Sequence, residues 1–116
     1  MKTLSNRTRR VGENIRALIS KHLLLKEHHI LELETSIVTV TEVQPSSDLR
    51  HARVYISCVG KNENKVIEAL NSYASLFSKL VAKELKTKFS PKLSFHIDYS
   101  FEQGLKIDNL INNKNG

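Results

Sequence analysis

From Leu4 to Leu23 the apolar residues Leu4, Val11, Ile15, Leu18, Ile19 and Leu23 fall on one side of a helix turning ~100° per residue. That spacing predicts a first amphipathic helix, with Ser5 or Asn6 as its cap and an end before the mixed stretch Lys26–Glu34. The period then shortens to two. Ser36–Gln44 is rich in β-branched residues, and His51–Val59 sets Ala52, Val54, Ile56 and Cys58 against Arg53, Tyr55 and Ser57. The connection Pro45–Arg50 has turn composition, so the two runs predict an antiparallel hairpin.

Helical spacing returns after the polar loop Gly60–Asn64. Val66, Ile67, Ala69 and Leu70 form one apolar stripe, with Asn64 as a candidate cap. Phe77, Leu80, Val81 and Leu85 form another, which ends by Ser90-Pro91 because the residue before proline leaves helical geometry. Between the stripes stands Asn71-Ser72-Tyr73-Ala74-Ser75-Leu76-Phe77, whose middle is small or weakly helix-favouring. A bend is expected at Ala74–Ser75, with Ala74, Ser75 and Leu76 as the kink. A third strand follows at Leu93–Tyr99, then a short helix from Ser100 that packs Phe101, Leu105, Ile107, Leu110 and Ile111.

The order α-β-β-α-α-β, with one apolar stripe per helix, predicts an α+β domain. Its three-stranded sheet carries every helix on one face and leaves the other face more open. With 116 residues the chain is expected to form a single domain over 1–116, ordered over about 5–111, with a flexible tail at 112–116.

Charge adds a partner to this picture. The net charge is +6, and residues 1–26 alone hold seven basic side chains against Glu13. Residues 61–92 add seven lysines against three glutamates, which acidic groups elsewhere offset. A basic surface of this kind points to an anionic ligand. Lys79, Lys83 and Lys86 share the side of their helix opposite Phe77 and suit phosphate as point charges, although a solvated lysine face is the commoner meaning of such a stripe. Arg7, Arg9, Arg10 and Arg16, with Lys21, flank the first helix, where guanidinium groups can fork onto phosphate or base edges. Arg50, Arg53, Lys61, Lys65 and Ser75 complete the candidate RNA contacts. A membrane-surface helix is the weaker alternative, because the apolar face is needed for the core.

Catalytic chemistry finds little support. Asp48 reads as a turn aspartate bonding its own backbone, not as an acid paired with His51. Ser57 and Ser75 lack a base and oxyanion donors. His28 and His29 point apart on any regular element, and Glu32 does not complete a metal set, so no metal and no cofactor are expected. Cys58, the single cysteine, reads as a structural thiol and suits a reducing cytoplasm; no signal peptide or membrane span is expected. Tyr55 and Tyr73 could stack on bases, but with 6% aromatics and no Trp this is expected to be a minor mode.

The order of elements resembles a type II KH domain, in which a GxxG loop between two helices clamps a nucleic-acid backbone. No GxxG occurs here. Arg10-Val11 with Ile15, Val38–Val43, the run Ser47-Asp48-Leu49-Arg50-His51-Ala52-Arg53-Val54-Tyr55-Ile56-Ser57 and the closing segment Pro91–Leu110 are similar to the ribosome-binding factor A family. That family has an Ala-x-Gly kink in place of GxxG, and Leu76 stands where its glycine is usual. The resemblance implies a non-enzymatic assembly factor that binds the small ribosomal subunit, through rRNA and its proteins. Late maturation, processing of the rRNA's leading end, growth in the cold and a monomeric cytoplasmic protein are its further implications. A general KH-type regulator of other transcripts is the alternative.

Overall fold

Six elements run in the order α-β-β-α-α-β in the computed structural model, which describes residues 6–25, 37–59, 63–86 and 90–100. They are α1 (Asn6–Leu25), β1 (Ile37–Pro45), β2 (His51–Val59), α2 (Glu63–Ser72), α3 (Ala74–Leu85) and β3 (Lys92–Ile97). The strand with the cleanest alternation, β2, lies at the centre of the sheet, antiparallel to β1 and parallel to β3. The connections impose this mixture. A short turn can only return an antiparallel neighbour, whereas the α2–α3 crossover brings the chain back in the same direction.

Ala52, Val54 and Ile56 of β2 face a single core with Val40, Val43, Leu93 and Phe95 from the flanking strands. Ile15, Leu18 and Ile19 of α1 cover one side of it, and Val66, Leu70, Phe77 and Val81 of α2 and α3 cover the other. Burying such side chains contributes roughly 1.5–3 kcal/mol each. At the far ends of α1 and α3, His22 Nε2 lies 3.4 Å from Glu84 Oε1, an ion pair when the imidazole is protonated.

Strand β1 departs from strict alternation. Val40 and Val43 both point inward, and the register against β2 shifts between Val40 and Glu42. Thr41 is the extra residue of this bulge. Its hydroxyl donates to Asp98 Oδ2 at 2.7 Å, just past the end of β3. Asp98 Oδ1 also accepts the Ser100 hydroxyl at 2.6 Å and the Ser100 N–H at 2.9 Å. The Ser100 hydroxyl first, then the Thr41 hydroxyl and the Ser100 N–H, hold the Asp98 carboxyl below the usual range.

Gly12 explains how closely α1 lies on the sheet. A Cβ built there would stand 2.9 Å from the Val43 carbonyl oxygen and 3.1 Å from Pro45 Cδ. Neither the backbone carbonyl nor the proline ring can swing aside. Although alanine favours a helix over glycine by about 1 kcal/mol, Gly12→Ala is expected to destabilise the fold by about 1–3 kcal/mol. Urea unfolding checks this, and an unchanged or higher midpoint would show that α1 can lift away.

Element ends differ from expectation in physical detail. Asn6 already lies within α1, and α2 starts at Glu63, so Asn64 belongs to its first turn. Helix α3 stops at Leu85, ahead of Ser90, because Lys86 turns left-handed (φ 54°) and returns its N–H to the Ala82 carbonyl. The expected helix after Ser100, the tail 112–116, Lys61, Ser5 and the His28–His29–Glu32 set lie outside the described residues.

Candidate nucleic-acid interface

The ladder of α2 ends with the Tyr73 N–H shared between the Ala69 and Leu70 carbonyls, at 3.2 and 3.1 Å. That of α3 begins with the Phe77 N–H bonding the Tyr73 carbonyl at 3.1 Å. Tyr73 sits at φ −100°, ψ 8°, a conformation open to any residue, so no left-handed glycine is needed. The kink expected at Ala74, Ser75 and Leu76 therefore falls one residue earlier, and these three form the first turn of α3. Leu76 adopts helical geometry with its side chain partly exposed.

This arrangement leaves the start of α3 open to an anion. No side chain caps it and no acidic residue occupies its first turn. The leading N–H groups and the positive end of the helix dipole thus lack an internal acceptor from a side chain. In front lies a groove of about 520 Å³ between the junction and β3, lined by Asn71, Ala74, Ser75, Ser78, Lys79, Ser90, Lys92 and Leu93. Small residues at Ala74 and Ser75 keep it wide, and Lys79 and Lys92 make it basic.

Two side chains fix the groove's geometry. The Asn71 amide pairs with the outer edge of β3 as another strand would. Its Oδ1 accepts the Phe95 N–H at 2.9 Å and its Nδ2 donates to the Phe95 carbonyl at 3.2 Å. Ser78, buried one turn into α3, donates its hydroxyl to the Pro91 carbonyl. Asn71→Leu keeps the volume but strips both partners from Phe95, and is expected to cost about 1–3 kcal/mol. Amide exchange at Phe95 should accelerate in the same variant; unchanged protection there would remove the clamp from this account.

The cations expected from the sequence form separate surfaces. Lys79 and Lys83 are exposed on α3, and no described acidic side chain pairs with them. Lys86 caps the same helix, where the dipole favours a positive charge. Lys65 is exposed on α2, and Arg7, Arg9, Arg10 and Lys21 on α1. Arg16 is different: its Nη2 and Nε lie 2.9 and 3.2 Å from Glu13 Oε2, so its charge is already matched. Arg53 extends from β2 on the sheet face away from the helices, and Arg50 stands in the hairpin turn beside β3, its carbonyl accepting the Lys92 N–H at 2.8 Å. That turn is built by Asp48, whose Oδ1 accepts the Ser46 hydroxyl at 2.6 Å and the Arg50 N–H at 3.0 Å. These two bonds, in that order, hold its carboxyl below the usual range, and Leu49 takes a left-handed φ of 61° to close the turn. Asp48 is thereby occupied within its own turn.

Asn71, Ser78 and Lys92 were not legible as site residues. Asn71 reads as one more polar helix position, and only the approach of β3 gives its amide a purpose. Lys92 carried a signal, being the outward residue that opens a strand directly after Pro91. Among the described residues, no three His, Cys, Asp or Glu side chains converge as metal ligands, and no helix is long and apolar enough to cross a membrane.

Comparison with known proteins matches this geometry to a family. Residues 7–111 match the family model described as ribosome-binding factor A. The chain is similar to the ribosome-binding factor A of Clostridioides difficile, 38% identical over 95% of this chain and 86% of that protein. It is also similar to that of Pelagibacter ubique, 39% identical over 98% and 94% of the two chains. Among solved structures it superposes on a Thermotoga maritima protein studied as a ribosome binding factor A candidate, with a TM-score of 0.66 at 28% identity over 83% and 90% of the chains. The crystal structure of the Thermus thermophilus factor, at 16% identity and a TM-score of 0.64 over 78% and 94% of the chains, shares the fold. A homology model of a Thermus factor that fits this chain with a TM-score of 0.61 at 17% identity, covering 76% and 91% of the chains, has been placed in the map of a 30S complex. Both the sequence and the KH-like α+β fold lead to one conclusion: the chain belongs to the ribosome-binding factor A family.

Proposed function

We propose that this protein is a non-enzymatic assembly factor that binds the rRNA of the small ribosomal subunit through α1 and α3. It acts as a cytoplasmic monomer late in subunit maturation, supporting processing of the rRNA's leading end, including in the cold. The observation that carries the reading is the pairing of unmatched Lys79 and Lys83 with the uncapped start of α3, beside a basic groove, in a chain of this family. A helix start and a lysine face hold a phosphate backbone without reading its sequence, which suits recognition of a folded rRNA surface. The 30S complex of the Thermus factor supports the choice of subunit.

Sedimentation of the purified chain with small subunits tests the proposal. The protein is expected to travel with free small subunits at low salt and to leave them as salt rises, since phosphate contacts release counterions. Migration only at the top of the gradient at every salt concentration would refute it.

A further inference from the structure

The sheet face away from the helices carries a second, differently built surface. Register places its side chains in rows across the strands. His51 lies beside Lys92, Arg53 between Gln44 and Ser94, and Tyr55 between Glu42 and His96. The Tyr55 and His96 rings stand 5.6 Å apart, tilted by 35°, and the Ser94 hydroxyl fixes His96 through Nε2 at 2.8 Å. At the Arg53 end the face opens into a groove of about 730 Å³, lined in part by Gln44, Ser46, His51, Arg53 and Lys92. Arg53, His51, Lys92 and His96 are exposed, while Glu42 is the one carboxylate in these three rows.

We propose that this face is a second RNA surface, on which bases of a single-stranded segment stack against Tyr55 and His96 while Arg53 and Lys92 hold the flanking phosphates. That the polymer is RNA rests on the function proposed above; that it is unpaired rests on the face itself. Ring faces on an open sheet are reached only by bases free of a duplex, and aromatic platforms flanked by cations are how sheets bind such strands. Arg53 and Lys92 stand in rows that hold no carboxylate, which suits the flanking phosphates, whereas Glu42 and Asp98 lie toward the Tyr55–His96 end. A protein partner is disfavoured by the lack of a large exposed aliphatic centre in these rows, since interfaces between proteins are built around apolar cores and are poor in lysine. The aromatic pair was invisible as a site in the sequence because Tyr55 and His96 are brought together only by the parallel register of β2 and β3. With the helix surfaces on the opposite side, one small domain would engage two RNA segments at once.

The test uses the full chain and a labelled oligouridylate of about ten nucleotides, followed by fluorescence anisotropy. Tyr55→Leu keeps apolar volume without an aromatic face and is expected to weaken binding about tenfold. Arg53→Gln should lower the slope of log Kd against log salt by about 0.7. Lys92 is left native, because it also lines the groove at α3. Thermal unfolding of each variant reports whether the fold survives, and backbone amide shifts of the wild-type chain on adding oligouridylate test the surface without any substitution. Shifts at Arg53, Tyr55 and His96 support the proposal; shifts confined to α2, α3 and Leu93 overturn it. Unchanged oligouridylate binding by both folded variants also overturns it. Loss of subunit binding with oligouridylate binding intact would make the face a protein contact, and equally overturns it. If wild type never sediments with subunits but its oligouridylate binding depends on Tyr55, the function proposed above falls and this surface stands.

Discussion

Phe95→Ala is expected to be the most damaging single substitution in the described core, lowering stability by about 3–5 kcal/mol. Phe95 is 1% exposed, and its ring meets Phe77 edge to face, with centroids 5.6 Å apart and planes at 60°. Such a pair contributes about 0.5–1.5 kcal/mol beyond its buried area. A domain of ordinary stability holds only about 5–15 kcal/mol in total. The substitution also touches the site, because the same residue offers its backbone to the Asn71 amide and its ring to α3. Urea unfolding measures the first effect; faster amide exchange at Tyr73–Phe77 and at Phe95 would show the second. Phe95→Leu, which keeps most of the volume, should cost much less. A loss below about 1 kcal/mol for the alanine variant would mean that the core refills the space.

Reversing charge on α3 should have the largest effect on binding. Lys79→Glu with Lys83→Glu changes two exposed cations into anions without removing any described contact within the fold. If each lysine meets a phosphate of an rRNA helix, losing both lowers the slope of log affinity against log salt by about 1.8. At low salt the double variant is expected to bind small subunits roughly ten- to hundredfold more weakly. Its unfolding midpoint should stay close to that of the wild type, because exposed charges away from partners contribute little to stability. Comparison with Arg9→Glu plus Arg10→Glu ranks the two helices. Full retention of affinity in the α3 variant would move the principal contact to α1. Arg16→Glu is a poor probe by contrast, since it would also break the pair with Glu13.

Much of the architecture was legible in the chain because burial enforces periodicity. Val54 and Ile56 alternate as a half-buried strand must, and Ile15, Leu18 and Ile19 mark the stripe that α1 turns to the sheet. What escaped sequence reasoning depends on contacts made at a distance. The Thr41 bulge breaks the alternation of β1 to keep both Val40 and Val43 inward, and its partner Asp98 lies 57 residues away. Gly12 looks like a weak helix position until β1 lies within contact distance of its backbone. The break between α2 and α3 was foreseen in its neighbourhood, but its residue was not. Small side chains at Ala74 and Ser75 signal room at a groove, whereas the backbone departs from the helix at Tyr73, which needs no positive φ. Patterning set the candidate cations off the apolar stripes, and the described ones are exposed. It could not show that Arg53 and Lys79 would occupy opposite sides of the sheet.

The parallel pairing of β2 with β3 sets an order of assembly for the molecule. β1 and β2 meet across a short turn, so their ladder closes early and at little entropic cost. His51 must wait for Lys92, which arrives only after both intervening helices have been laid down. Non-local pairing of this kind is slow, because loop-closure entropy must be met before its contacts form. β3 supplies one wall of the α3 groove and half of the Tyr55–His96 platform. A newly made chain therefore completes neither the groove nor the platform until β3 docks. Both proposed surfaces thus depend on the docking of one six-residue strand.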